Sequence, residues 1–191
     1  MKLIPIEVRD ILISLAVLTF VFAYPQVLSN PPFFLVSLFG VGIAFFGHEL
    51  SHRYVARRYG FWSEFRMWPQ GLFFALFLAI VSGGGFVFAA PGAVMFSPRF
   101  YFQHAGRKEI GRIGIAGSVF NIALAYALLA TNIFFPFSLL VFAASINAWL
   151  AAFNMIPIAP LDGQKVLSWD KRIWVLVLAL SLAAFAITFI M

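Results

Sequence analysis

The chain has 191 residues, 63% of them hydrophobic and 10% charged, with a mean hydropathy of +0.97. Soluble domains carry about 25% charge, so the composition excludes an ordinary soluble fold and predicts an all-α polytopic membrane protein of about five or six transmembrane helices, in one domain over 1–191. The net charge of +6 does not argue for nucleic acid, since the basic residues lie in short loops between apolar spans, and the absence of cysteine removes disulfides and thiolate chemistry.

Taken in chain order, the apolar runs and their breakers predict the following elements. Glu7 and Asp10 disrupt any signal-peptide pattern, so Ile11–Leu28, ending near Pro25, is expected as a retained first span. Pro31-Pro32 opens a second helix, from Phe33 to about Tyr59, which begins apolar and ends basic at Arg53, Arg57 and Arg58, with Gly60 as its stop. Phe61–Gln70 reads as a short polar connector whose Trp62 and Trp68 suit the headgroup layer. Leu72–Val81 is apolar but too short to cross as a helix, and it breaks at Gly83-Gly84-Gly85. Phe86–Phe96 is a further apolar piece, interrupted at Pro91-Gly92, and Ser97–Arg112 is polar and basic. Ile113–Phe135 and Phe137–Ile156 are clean spans separated by Pro136. Leu161–Arg172 reads as a loop and Ile173–Met191 as a last span.

Charge orders these pieces. If the N-terminus is cytosolic and Leu72–Phe96 dips into the bilayer and returns, all thirteen Lys and Arg residues fall on the cytosolic side. A single crossing by that segment would scatter them over both sides. The expectation is therefore an integral protein of the cell membrane, with a re-entrant or short β segment after the second helix. Irregular backbone at that depth survives only where it is buried in protein or lines a wet cavity.

The second helix carries His48-Glu49-Leu50-Ser51-His52, an H-E-x-x-H motif. Ionisable groups inside an apolar helix are costly, so something must offset them. Spacing of i, i+4 stacks the imidazoles of His48 and His52 on one face, where they can share one Zn2+ with Glu49 beside it as general base. Zinc provides the binding energy and draws a nucleophile from water at neutral pH. The plainer account is a pair of interfacial histidines with Glu49 paired to Arg53 one turn on. A third ligand is needed, and the candidates are Glu64, His104, Glu109, Asp162 and Asp170. Asp162 stands out because Pro157 and Pro160 unwind the preceding span and Gly163 permits a sharp turn, although an Asp-Gly turn facing solvent is common in any loop. Phe86, Val87 and Phe88 are rich in β-formers and are candidates for binding an unwound substrate by strand addition; a hairpin that only fills space is the alternative.

H-E-x-x-H on one membrane helix and Asn154-x-x-Pro157-x-x-Pro160-Leu161-Asp162-Gly163 on a later one resemble the site-2 protease family of intramembrane zinc metalloproteases, over a core of about 33–163 with 1–30 and 173–191 as flanking helices. The resemblance implies His48, His52 and Asp162 as zinc ligands, Glu49 as the base, one zinc per chain, and a transmembrane segment of another protein as substrate. Gly117-Ser118-Val119-Phe120-Asn121 resembles that family's G-P-x-x-N pattern, with Ser118 in place of proline. It implies that Asn121 bonds a substrate carbonyl or oxyanion; the alternative is an amide contact between helices. Gly117 is read as a packing glycine, and Asn147 and Asn154 as supports for the site or as helix-joining amides. A competing function is a membrane metal transporter or sensor using the same His pair. Transporters place several ionisable groups along a path, whereas here the spans between Glu49 and Asp162 are nearly bare of charge.

Overall fold

A computed structural model describes residues 4–97 and 105–191 of the protein. It is mostly helical, with a small two-stranded sheet. Helix α1 (Pro5–Ala23) starts six residues earlier than the apolar run predicts, taking in Glu7 and Asp10. Pro5 in its first turn has no N–H to lose there. The short α2 (Gln26–Ser29) turns the chain into α3 (Phe33–Arg58), the helix of the H-E-x-x-H motif. Helix α3 ends where predicted, and for a specific reason. Gly60 adopts φ +81°, and Phe61 and Gly60 donate back to the carbonyls of Ala56 and Arg57, the paired bonds of a left-handed C-terminal cap.

The connector after α3 is corrected by the structure. Trp62–Met67 is a strand, β1, paired antiparallel with β2 (Gly92–Ser97), with Trp62 opposite Ser97 and Met67 opposite Gly92. Pro91-Gly92 therefore starts a strand rather than breaking one. Between the strands, α4 (Pro69–Val81) runs out until Gly83 and Gly84, both at positive φ, cap it. A Cβ on Gly84 would strike the carbonyl of Tyr24 at the far end of α1, so α4 reaches as far as α1 does. Thirteen helical residues rise about 20 Å. Extended chain covers about 3.3 Å per residue, so the residues from Gly85 to Pro91 suffice to return. Residues 67–92 thus leave the sheet and come back to it. Phe86–Phe88 lie on this return limb and are not part of a strand.

Helix α5 (Arg107–Phe134) passes through the middle of the molecule, against α3, α6 (Ser138–Asn154) and α7 (Asp162–Trp169). The predicted loop 161–172 contains α7, and the last helix, α8 (Lys171–Ile187), is capped by Asp170, whose side chain accepts from the N–H groups of Arg172 and Ile173. Helix α5 runs unbroken through Ser118, whose hydroxyl donates to the Ala151 carbonyl of α6. The start of α1, the end of α3, the start of α5 and α7 meet at one end of the molecule, joined by Glu7 with Arg53, Tyr59 with Arg112, and Arg112 over Trp169. Helices α3 and α5 are long and apolar enough to cross a membrane. Large apolar side chains stand outward on most helices, among them Leu35, Phe39, Phe73, Ile80, Ile133, Phe134 and Leu176. Exposed apolar surface of that extent marks contact with a membrane or with other protein.

Candidate metal centre

His48 and His52 lie one turn apart on α3, with ring centroids 4.6 Å apart and planes 77° from parallel. Asp162 reaches them from the first residue of α7. Its Oδ2 is 2.9 Å from Nε2 of His52 and 3.4 Å from Nε2 of His48. One donor atom from each of the three residues lies within 4.8 Å of the other two, so they could hold a metal ion. All three are buried, as is Glu49, at between 4% and 9% exposure. The chain gets from α6 to α7 by way of Pro157 and Pro160, and a Cβ on Gly163 would collide with the Met155 carbonyl. Glycine is required there for the reversal that returns Asp162 to α3.

The outer nitrogens of both imidazoles fix their tautomers. Nδ1 of His52 lies 2.6 Å from the Ile113 carbonyl, which can only accept, so this nitrogen donates. Nδ1 of His48 lies 2.7 Å from Oδ1 of Asn121. The amide orientation is set in turn, because Nδ2 of Asn121 donates to the Ala44 carbonyl at 3.2 Å and to Oδ1 of Asn147 at 2.9 Å. Asn121 therefore presents its oxygen, and Nδ1 of His48 carries the hydrogen. In their neutral forms both rings then turn bare Nε2 lone pairs toward a carboxylate oxygen, an arrangement that repels unless a cation sits among them. Neutral imidazoles oriented by acceptors at the other nitrogen, with a carboxylate as third donor, are a fitting donor set for zinc.

The remaining sequence candidates separate cleanly. Asn121 is fully buried and engages both ends of its amide inside the protein, with His48 on one side and the Ala44 carbonyl and Asn147 on the other. Asn147 is the next link in that chain, while Asn154 lines the cavity beside the His pair and bonds back to the Leu150 carbonyl. Gly117 lets α5 pass against the His48 ring, which a Cβ would approach to 2.5 Å. Arg53 does not pair with Glu49; it is buried and forms an ion pair with Glu7. Glu64 pairs with Arg66, Glu109 lies in the first turn of α5, and Asp170 caps α8, so none of them joins the histidines. His104 lies outside the described residues. Two backbone groups of Phe86–Phe88 are engaged: the Phe86 N–H donates to Oγ of Ser82, and the Val87 carbonyl accepts from Nε1 of Trp149 at 3.0 Å.

The cavity against the His pair also contains groups the sequence reading passed over. Lys165 places Nζ 2.8 Å from Oδ1 of Asp162, leaving Oδ2 to the histidines. The signal was present, since Asp162 and Lys165 are i, i+3 neighbours, but it is visible only if 162–169 is read as a helix. Gly92, Ala93 and Val94 of β2 form another wall. Oε2 of Glu49 accepts no hydrogen bond among the described residues.

No family model and no solved structure matches the chain. A protein of Methanocaldococcus jannaschii named "Putative zinc metalloprotease MJ0611" is 43% identical over 176 residues, which cover 90% of this chain and 88% of the relative. At that identity over nearly the full length of both proteins, the chain belongs to the same family as this archaeal relative, a family of zinc metalloproteases by the relative's name.

Proposed function

We propose that the protein is an intramembrane zinc metalloprotease of the site-2 type, cutting transmembrane segments of other membrane proteins. The observation that carries this is the convergence of His48, His52 and Asp162, with both imidazole tautomers fixed, beside Glu49 within an apolar helix. The family relationship supports the protease class, and the outward apolar surface supports the bilayer as its solvent. In this reading α1, α3, α5, α6 and α8 are five crossings, and 69–91 is a re-entrant excursion. The basic end of the molecule faces the cytosol, as the positive-inside rule requires.

His48, His52 and Asp162 would hold the zinc, one per chain. When bound, it acts as a Lewis acid toward the scissile carbonyl and makes water nucleophilic at neutral pH. Glu49 faces the same cavity with an unengaged carboxylate oxygen, placed to take a proton from the attacking water and pass it to the leaving amine. Lys165 neutralises the half of Asp162 turned away from the histidines. Asn121 and the Ile113 carbonyl hold the two rings in register.

A peptide bond inside a helix is shielded, so the substrate must be extended at the site. The strand-addition role expected of Phe86–Phe88 passes to β2. Phe65 and Met67 of β1 donate to Glu7 and Asp10, which blocks that strand's outer edge. The alternation of an antiparallel pair then turns the backbone groups of Gly92, Val94 and Phe96 away from β1, and among the described residues no acceptor for their N–H groups is found. Gly92 and Val94 also line the metal cavity, so an unwound segment added there would lie beside the His pair with its own backbone satisfied.

The test is cleavage of a single-pass membrane substrate by purified wild-type and Glu49→Gln protein, with fragments mapped by mass spectrometry. Cleavage within the hydrophobic segment by wild type, lost in Glu49→Gln with zinc retained, is the expected result. Equal rates in the two proteins would overturn the mechanism, and transport of zinc without peptide hydrolysis would move the protein to the transporter class.

A further inference from the structure

A second cavity, of about 450 Å³, opens beside the metal centre. Its walls include Trp68, Phe74, Phe88, Phe153, Ile158 and Leu161. Pro160 and Leu161 are shared with the metal cavity, so the two spaces meet at the turn that carries Asp162. The walls are set by packing. Phe88 lies between Trp68 and Phe153, at centroid distances of 6.5 and 5.2 Å, and the Val87 carbonyl is tied to Trp149. Ala90, on the same wall, leads within two residues into β2 at Gly92. A segment following the free edge of β2 past Gly92 therefore meets this cavity. The volume is that of a small-ligand pocket, and the lining offers an occupant apolar contact.

We infer that this cavity is a side-chain subsite of the protease, receiving one large aliphatic or aromatic residue of the substrate next to the bond to be cut. The inference rests on the protease reading above. Selection would not come from removing apolar surface from water, because the substrate arrives from lipid. It comes from packing: an Ala in this space leaves the rings of Trp68, Phe88 and Phe153 without contact on one side, whereas Leu or Phe fills it. This also gives Phe86–Phe88 their part. The Phe86 N–H and the Val87 carbonyl are held by Ser82 and Trp149, and the side chains of Phe86 and Phe88 line the cavity.

The test uses the full chain, which has no native cysteine. Ile158 is 63% exposed at the cavity mouth, so an Ile158→Cys thiol is reachable. In an Ile158→Cys, Glu49→Gln protein in detergent, maleimide labelling is timed with two synthetic transmembrane peptides, one with Leu or Phe at its unwinding centre and one with Ala there. Binding of each peptide is measured separately by fluorescence. The bulky peptide should slow labelling about tenfold more than the Ala peptide. Leu78→Trp, which narrows the cavity, should reverse the preference. Equal slowing by both bound peptides, or slowing by added phospholipid with none by either peptide, would overturn the subsite; the phospholipid result would assign the cavity to an acyl chain. The same peptides are then offered to Ile158→Cys with Glu49 intact. Selective protection without cleavage keeps the subsite and fails the protease reading. Cleavage without selective protection does the reverse.

Discussion

Helix α3 carries two neighbouring groups of buried ionisable residues. His48 and His52 face Asp162, which Lys165 also meets; one residue beyond His52, Arg53 turns to Glu7 of α1, and Glu49 lines the cavities beside both. Both would be expensive in lipid if left alone, and they are stabilised differently. In the Arg53 group, opposite charges meet and Oε1 of Glu7 also accepts from the backbone of Phe65, while Oε2 of Glu7, like Oε2 of Glu49, accepts no hydrogen bond among the described residues. In the His48 group, two imidazoles turn bare nitrogens to a carboxylate while one oxygen of Glu49 remains unengaged. That group could hold a metal ion among its three donors. The first arrangement holds α1, α3 and β1 together; the second gathers donors that could hold a metal ion. Burial alone does not distinguish them; what differs is that a guanidinium meets the carboxylate in one, whereas imidazole nitrogens meet it in the other.

The largest expected effect falls on the reactive side. Glu49→Gln should lower cleavage by about 10²–10⁴-fold while zinc content stays at the wild-type level, since the amide accepts no proton. Loss of metal from this variant would show that Glu49 belongs with the ligands. Arg53→Ala should act on stability instead. It strands the Glu7 carboxylate in the interior, and breaking a buried pair costs about 3–5 kcal/mol. Thermal unfolding in detergent measures this, and the double variant Arg53→Gln, Glu7→Gln should lose less. If folded Arg53→Ala protein lost its zinc, the two groups would not be separable.

Smaller effects refine the same division. Asn121→Ala frees the His48 ring without removing a ligand, and removing such an orienting bond typically lowers metal affinity about 10–100-fold. Competition with a graded series of chelators measures it, and unchanged affinity would reduce Asn121 to a helix-joining amide. Gly60→Ala places a Cβ on a residue at φ +81° beyond both groups. It should cost roughly 1–2 kcal/mol of stability and leave chelator competition unchanged. A shift in zinc affinity would mean that the cap of α3 helps to set the histidines.

Much of the local structure was legible. The i, i+4 histidines on an apolar run, the glycine stops at Gly60 and Gly83-Gly84, and the proline-broken approach to Asp162 are short-range patterns, and the chain folds locally as they dictate. Two elements were not legible for equally physical reasons. Trp62–Met67 is a strand because its partner lies thirty residues on, and a strand has no hydrogen bonds until that partner arrives. Asp162–Trp169 is a two-turn helix, too short to stand by itself, and its position is fixed by packing on α5.

The sequence by itself determined that ionisable groups would be carried into an apolar helix, which residue types could bind metal, and where the main helices stop, because these follow from spacing and backbone preference within a few residues. Tertiary structure alone decided that Asn121 turns its oxygen to His48 and that Arg53 belongs to Glu7 rather than Glu49, and it carried Asp162, already marked out by its proline-broken turn, to the histidines. Each of those is a contact between residues 45 or more positions apart. Such contacts are selected by which buried donor finds an acceptor once the helices have packed, and no local pattern in the chain encodes that choice.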